Sequence, residues 1–213
     1  MKILKRLILA LMAVALCMPA MAEKNAQARK ILDATAKKIS GASGIEASFR
    51  LTSFVGSTEQ GTGSGTIRMK GKKYKLTAGE QTTWFDGKTL WNYNEDIQEV
   101  NVTTPTRQEM QTMNPYAFLA LYRQGYDYKV KNVTYNGKAM YDVTLTAEKA
   151  GSEIPEVIIT ISKENTPLCI RLRQGKNWTR ITITSFNAKR KFGDDMFRFP
   201  ASEYPDAEIV DMR

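Results

Sequence analysis

Histidine is absent from the 213 residues, and cysteine occurs only at Cys17 and Cys169. Without imidazole the chain has no Ser-His-Asp or Cys-His nucleophile and no histidine metal site. Two cysteines, one of them in the apolar N-terminal run, build neither a thiolate cage nor a disulfide framework. Paired carboxylates remain, in Asp194-Asp195 and in Glu80 with Asp86. Adjacent acids next to Gly193 more often mark a turn than a catalytic pair. No catalytic residue, metal or cofactor is therefore assigned, and the chain reads as a non-enzyme.

What is present begins with an address. The opening "MKILKRLILALMAVALCMPAMA" has a basic start (Lys2, Lys5, Arg6), an apolar stretch from Leu7 to Met18, and Ala20-Met21-Ala22. That is the layout of a secretory signal peptide over residues 1–22, with cleavage expected after Ala22. Its apolar stretch is short of the ~20 residues a spanning helix needs, and no second long apolar run follows. Leu16 before Cys17 is not the small residue that lipoprotein cleavage requires, so the mature chain, residues 23–213, is expected to be exported, soluble and not itself lipidated.

The formal charge is +9, from 31 Lys+Arg against 22 Asp+Glu. Losing the leader removes three positive charges and leaves about +6. The cations are dispersed through "KNAQARK", "KGKKYK" and "NAKRKFG". In an exported protein this argues against nucleic acid and for attraction to anionic head groups or an acidic protein surface.

"KNAQARKILDATAKKIS" (24–40) predicts an amphipathic helix, with Ala28, Ile31, Leu32, Thr35, Ala36 and Ile39 at helical spacing and Gly41 as its stop. The pattern then switches to period two in "IEASFRL", "GTIRMK" and "KKYKLTA". "WFDGKTLWNYN" (84–94) sets Asp86-Gly87 between runs carrying Trp84, Phe85, Trp91 and Tyr93, a strong hairpin signal. A two-residue loop would put Trp84 opposite Thr89, with Trp91 and Tyr93 on the same face and Phe85 and Leu90 on the other. "IQEVNVTT" predicts a further strand. "NPYAFLALYRQG" predicts a second helix, capped by Asn114 and started by Pro115. Beyond it the chain reads as strands: a long hairpin turning at Asn136-Gly137, then "PEVIITIS", "LCIRLRQ", "WTRITITSF" and a short "MFRFP".

Short strands with turn chemistry between them predict one domain built on an antiparallel sheet that curls or closes. Around ten strands around an apolar concavity, with two helices to cover it, leave two outcomes. Both helices dock and complete a dry core, which periodicity alone favours, or room is left for a ligand.

"DGKTLWNY" (86–93) strongly resembles the signature hairpin of the periplasmic carriers of outer-membrane lipoproteins, the LolA-type family. "GIEASFRL", "GTGSGTIRMK", "NPYAFLALYR" and "DDMFRFPASEYPDAEIVDMR" resemble that family's first strand, second strand, lid helix and C-terminal ending, in the same order. The resemblance covers nearly all of residues 24–213. It implies a mainly β fold with helices (α+β), an open antiparallel β-barrel of about eleven strands. An N-terminal helix and a helical lid would cover its hydrophobic cavity. It implies a monomeric, non-enzymatic carrier in the periplasm of a Gram-negative bacterium. Such a carrier takes acylated lipoproteins from an inner-membrane ABC-type releasing complex to an outer-membrane acceptor. On that basis Phe49, Ile67, Met69, Tyr74, Leu76, Trp84, Trp91 and Tyr93 are expected in the lipid-binding cavity, and Phe118, Leu119, Leu121 and Tyr122 in the lid.

One departure stands out. Family members commonly carry an arginine after the second strand that latches the empty lid to the wall, and here Gly71 occupies the matching place. Lysine neighbours are poor substitutes for a planar fork of donors. An envelope sensor or interaction domain of the same fold, or a carrier of another amphiphile, is the alternative. A carboxylate hydrolase using Asp194 and Asp195 is a third.

Overall fold

In the computed structural model, residues 18–106, 122–123 and 125–213 are described. Helix α1 (Met18–Ser40) runs through the predicted 24–40 segment and begins six residues earlier. Ala28, Ile31, Leu32 and Thr35 form its buried stripe. The Thr35 hydroxyl is satisfied by donating to the Ile31 carbonyl at 2.9 Å. Lys37 and Lys38 sit in the last turn, where cations complement the helix dipole. Lys38 Nζ also donates to the Glu164 carbonyl at 2.8 Å and to Thr166 Oγ1 at 2.6 Å, tying the helix end to a distant turn. No helix among the described residues is long and apolar enough to cross a membrane.

The strands are β1 (Ile45–Val55), β2 (Thr58–Lys70), β3 (Lys73–Ala78), β4 (Gln81–Phe85), β5 (Leu90–Asn94) and β6 (Glu99–Thr103). They continue as β7 (Tyr126–Tyr135), β8 (Lys138–Ala147), β9 (Glu156–Ser162), β10 (Pro167–Gln174), β11 (Asn177–Asn187) and β12 (Glu208–Asp211). One twelve-stranded sheet results, in the order β12-β6-β5-β4-β3-β2-β1-β11-β10-β9-β8-β7. All pairs are antiparallel hairpin neighbours except β1 with β11, which are antiparallel but distant in sequence, and β12 with β6, which are parallel. The ends of this order do not meet, so the barrel is open, as the resemblance implies. Register shifts at Ser48/Phe49, Ser53/Phe54 and Pro167/Cys169 bend the sheet, as bulges do.

One face carries the main core. Ile45, Ala47, Ile67, Met69, Tyr74, Phe85 and Leu90 from one half meet Val143, Leu145, Val157, Ile159, Ile161 and Ile170 from the other, with the α1 stripe against them. The "MFRFP" segment is not the strand its alternation suggests. Asp194–Phe197 forms a single 3-10 turn with Phe197 fully buried, and the chain then crosses the sheet to place β12 beside β6. The polar edge of β6 accepts a partner there; the Phe-rich segment instead supplies rings to a second core.

Candidate functional site

The hairpin over residues 84–94 sorts the predicted cavity residues. Its loop has four residues, not two. The Asp86 backbone N–H donates to the Thr89 carbonyl at 3.2 Å, while Asp86 Oδ1 accepts from the Lys88 and Thr89 N–H groups, each at 2.9 Å. Gly87 takes φ +100°, a conformation that excludes most side chains. Trp84 therefore pairs with Trp91, and Phe85 with Leu90, which corrects the expected Trp84–Thr89 pairing. Trp84, Trp91 and Tyr93 do share a face, and Phe85 and Leu90 share the other, because side chains alternate along each strand.

Cross-strand register extends those faces through the sheet. Leu90, Phe85, Tyr74, Met69 and Ile45 form one row, and Thr83, Leu76, Ile67 and Ala47 the next, all on the α1 side. Trp84, Trp91 and Tyr93 lie on the opposite, convex side. The expected eight-residue surface is thus divided, and these three do not line the concave wall. They are covered by the C-terminal segment. Trp84, 1 % exposed, meets the Phe199 ring edge-on at 5.4 Å and the Tyr204 ring at 5.9 Å, while Tyr93 meets Tyr204 at 4.7 Å. Lys75 Nζ lies 4.9 Å over Trp84. Burial, then repulsion from Arg68, holds its ammonium pKa below the ordinary lysine value.

Of the five predicted residues on the concave side, Ile67, Met69 and Tyr74 are buried in the main core with α1, and Phe49 and Leu76 are half-buried. Burial alone pushes the Tyr74 phenol up to about 12. Around Phe49 the wall continues into residues not anticipated as a site. Ile181, Leu51 and Gly63 form one cross-strand row, and Ile183, Phe49, Gly65 and Ala78 the next. Leu51, Ile181 and Ile183 are half-buried apolar groups. Beside them β2 presents Gly61, Gly63 and Gly65 on the same face. Among the described residues nothing lies within 4 Å of a Cβ position at Gly61 or Gly63, so this strip of wall is bare backbone. The period-two pattern of "TRITITSF" and the alternate glycines of "GTGSG" were the signals available for it.

Phe118, Leu119 and Leu121 of the predicted lid lie outside the described residues. Tyr122 is buried, its hydroxyl donating to Asp33 Oδ1 of α1 at 2.5 Å and its ring edge-on to Tyr128 at 6.2 Å. A polar hollow of about 530 Å³ adjoins it, lined by Arg29, Asp33, Arg123, Tyr126 and Glu148 among others. Asp194 is engaged in ion pairs. It is bracketed by Lys73 Nζ at 2.8 Å and Lys70 Nζ at 2.9 Å, which lower its pKa to about 2, so it stays ionised and cannot serve as a general acid near neutrality. Among the described residues no group of three or more acids and cysteines is placed to hold a metal.

Solved structures are similar to this chain. An uncharacterized conserved protein from Thermus thermophilus is 13% identical with a TM-score of 0.60, covering 87% of this chain and 99% of its own. The lipoprotein LppX of Mycobacterium tuberculosis is 15% identical with a TM-score of 0.49, over 83% of this chain and 100% of its own. The LolA superfamily protein NE2245 of Nitrosomonas europaea is 10% identical with a TM-score of 0.43, over 81% and 97%. No curated protein matches the sequence. The profile of the family described as "Outer membrane lipoprotein carrier protein LolA" matches residues 18–176, three quarters of the chain. The chain, with its open sheet, N-terminal helix and signature hairpin, belongs to the LolA-type outer membrane lipoprotein carrier family.

Proposed function

We propose that the protein is a non-enzymatic carrier of acylated lipoproteins, working in the periplasm after removal of residues 1–22, with residues 23–213 as its single domain. The supporting observation is the concave strip where half-buried Phe49, Leu51, Ile181 and Ile183 adjoin the backbone of Gly61 and Gly63, bare among the described residues, with half-buried Leu76 further along the same face. A fatty chain loses ~0.8 kcal/mol of favourable burial for each methylene left in water, so an acylated protein needs a host with open apolar wall. Flat and branched side chains beside a floor without side chains accept chains of varied course and hold them weakly enough for release. The source and destination of the cargo are, on this reading, an ABC-type releasing complex of the inner membrane and an acceptor at the outer membrane, and the carrier travels as a monomer.

The test uses the protein purified after export, without detergent, and native mass spectrometry with a synthetic triacylated lipopeptide. A one-to-one complex is expected, and its loss in Gly63→Trp, which fills the strip, with the fold intact by circular dichroism. Equal binding by wild type and Gly63→Trp, or no binding by either, would overturn the proposal. Tryptophan emission is a poor reporter here, since Trp84, Trp91 and Trp178 all lie on the convex side by register.

A second reading is favoured by Gly71. It takes φ +59° in the β2–β3 turn, where an arginine would be strained, and the neighbouring Lys70 and Lys73 are engaged by Asp194. A chain without the family's latch suits a sensor of stray acyl groups. Binding of lipopeptide without its onward transfer to acceptor vesicles favours this second reading over the first.

A further inference from the structure

Strand direction separates the turns into two ends, and the charges separate with them. At the end where β1 begins lie the β2–β3, β4–β5 and β9–β10 turns and the segment after β11. They carry Lys72, Lys88, Lys163, Lys189, Arg190 and Lys191, all exposed. Asp86 and Glu164 are the acids of those same turns. Asp194, Asp195, Asp211 and Glu46 also reach this end, but Asp194 is held by Lys70 and Lys73, Asp211 by Arg213, and Glu46 by Arg68 and Arg190. At the opposite end the β3–β4, β5–β6 and β8–β9 turns and the approach to β12 carry Glu80, Glu95, Asp96, Glu148, Glu153 and Asp206, against Lys149, Lys176 and Arg123, with Arg29 of α1 beside Asp33 and Glu148. Glu80 and Asp96 lie close enough to raise the Glu80 pKa. A net-positive protein has thus become electrically two-ended.

We infer that the basic end docks the protein on an anionic lipid surface, with the acidic end turned to water. Two features favour lipid over an acidic protein. Five of the six turn cations are lysines, point charges on flexible stems and depleted at protein interfaces, whereas a protein partner would select arginine forks. Exposed Tyr135, Met196 and Met212 stand at the same end, and a phenol and thioethers suit the head-group layer. Exposed Ile97 at the other end follows Glu95 and Asp96, which anionic head groups repel, and exposed Val55 stands there beside Lys176 in the adjoining turn. The inference rests on the fold and its turns and not on the acyl-binding reading.

The experiment is vesicle flotation of the protein purified after export. The probes are phosphatidylcholine vesicles with and without roughly 30 % phosphatidylglycerol, at low salt and at about 0.5 M salt. Wild type is expected to bind only the anionic vesicles and only at low salt. Each cation near the surface contributes about fivefold, so K72E/K88E/K189E/K191E should bind at least about a hundredfold more weakly. K149E/K176E at the acidic end, and Gly63→Trp in the concave strip, should bind as wild type does. Circular dichroism checks that each variant is folded. Binding to neutral vesicles, equal loss in the two charge variants, or no binding to anionic vesicles at low salt overturns the inference. Loss in Gly63→Trp alone would mean that lipid uptake, and not docking, holds the protein to the vesicle.

Discussion

The ring of Phe49 lies over Gly65 of the neighbouring strand, its Cζ 2.5 Å from where a Cβ on that glycine would stand. The Thr77 carbonyl oxygen is equally close to the same point, so neither a rotamer change nor a small shift of one neighbour makes room. Gly65→Ala is therefore expected to destabilise the fold by about 1–3 kcal/mol, the usual range for overpacking, whereas Gly63→Ala should be nearly neutral. Urea midpoints at constant slope separate the two. Equal midpoints for both variants would mean that the Phe49 ring is not fixed over β2.

Tyr74 contributes one defined part of the alkaline limb of stability. Its phenol is raised from 10.0 to about 12 by burial, so between these values the unfolded chain releases a proton that the folded chain keeps. The contribution is complete below pH 10 and is lost as pH rises through about 12, with a slope near 1.4 kcal/mol per pH unit and a total of roughly 2–3 kcal/mol. Tyr74→Phe should flatten that part of the curve while leaving the neutral region within the cost of a removed hydroxyl. Ultraviolet titration of the folded protein should show one phenol ionising last, and its loss in the variant. A wild-type phenol titration that follows a single ordinary curve centred near pH 10, with no later component, would refute the assignment.

The strands and α1 are legible in the sequence because each is governed by local periodicity: alternate apolar residues from Glu46 to Leu51, and helical spacing from Ala28 to Ile39. The hairpin's turn is legible for the same reason. The side to which its rings point is not. Both faces are apolar, and what decides between them is cover from Phe199 and Tyr204, more than a hundred residues further on. The glycines of β2 show the same limit. Their spacing marks a strand, but their meaning as bare wall depends on standing beside Leu51 and Phe49, a fact of register that no local pattern carries.

Asp194 ties the 3-10 turn after β11 to the β2–β3 end. Its pKa is depressed to about 2 through bonds from Lys73 and Lys70, below the ordinary 3.8. A depressed carboxyl contributes stability that is present above its unfolded value and disappears as pH falls through the folded one. The urea midpoint of wild type should therefore exceed that of Asp194→Asn at pH 7. The gap should begin to close below about pH 4 and vanish near pH 2. Because the carboxyl is exposed, the gap should also shrink in high salt. A pH-independent gap would assign the effect to packing of the turn and not to its charge.

Covering Trp84 is the task of the C-terminal segment, and its rings act as a unit. Phe199 and Tyr204 pack on each other at 5.2 Å as well as on Trp84. Truncating either to alanine should cost about 1–3 kcal/mol, less than a fully buried aromatic because both rings are half-exposed. The double variant should cost less than the sum of the two, since the first truncation already loosens the second ring. In a chain whose single tryptophan is Trp84, made by Trp91→Phe and Trp178→Phe, the emission maximum should move to the red in Phe199→Ala/Tyr204→Ala, and acrylamide quenching should rise. The concave strip proposed to hold acyl chains lies on the other face of the sheet, so lipopeptide binding by the double variant should persist wherever it remains folded. Coupled loss of binding in a folded double variant would show that the convex aromatic cluster and the concave wall move as one.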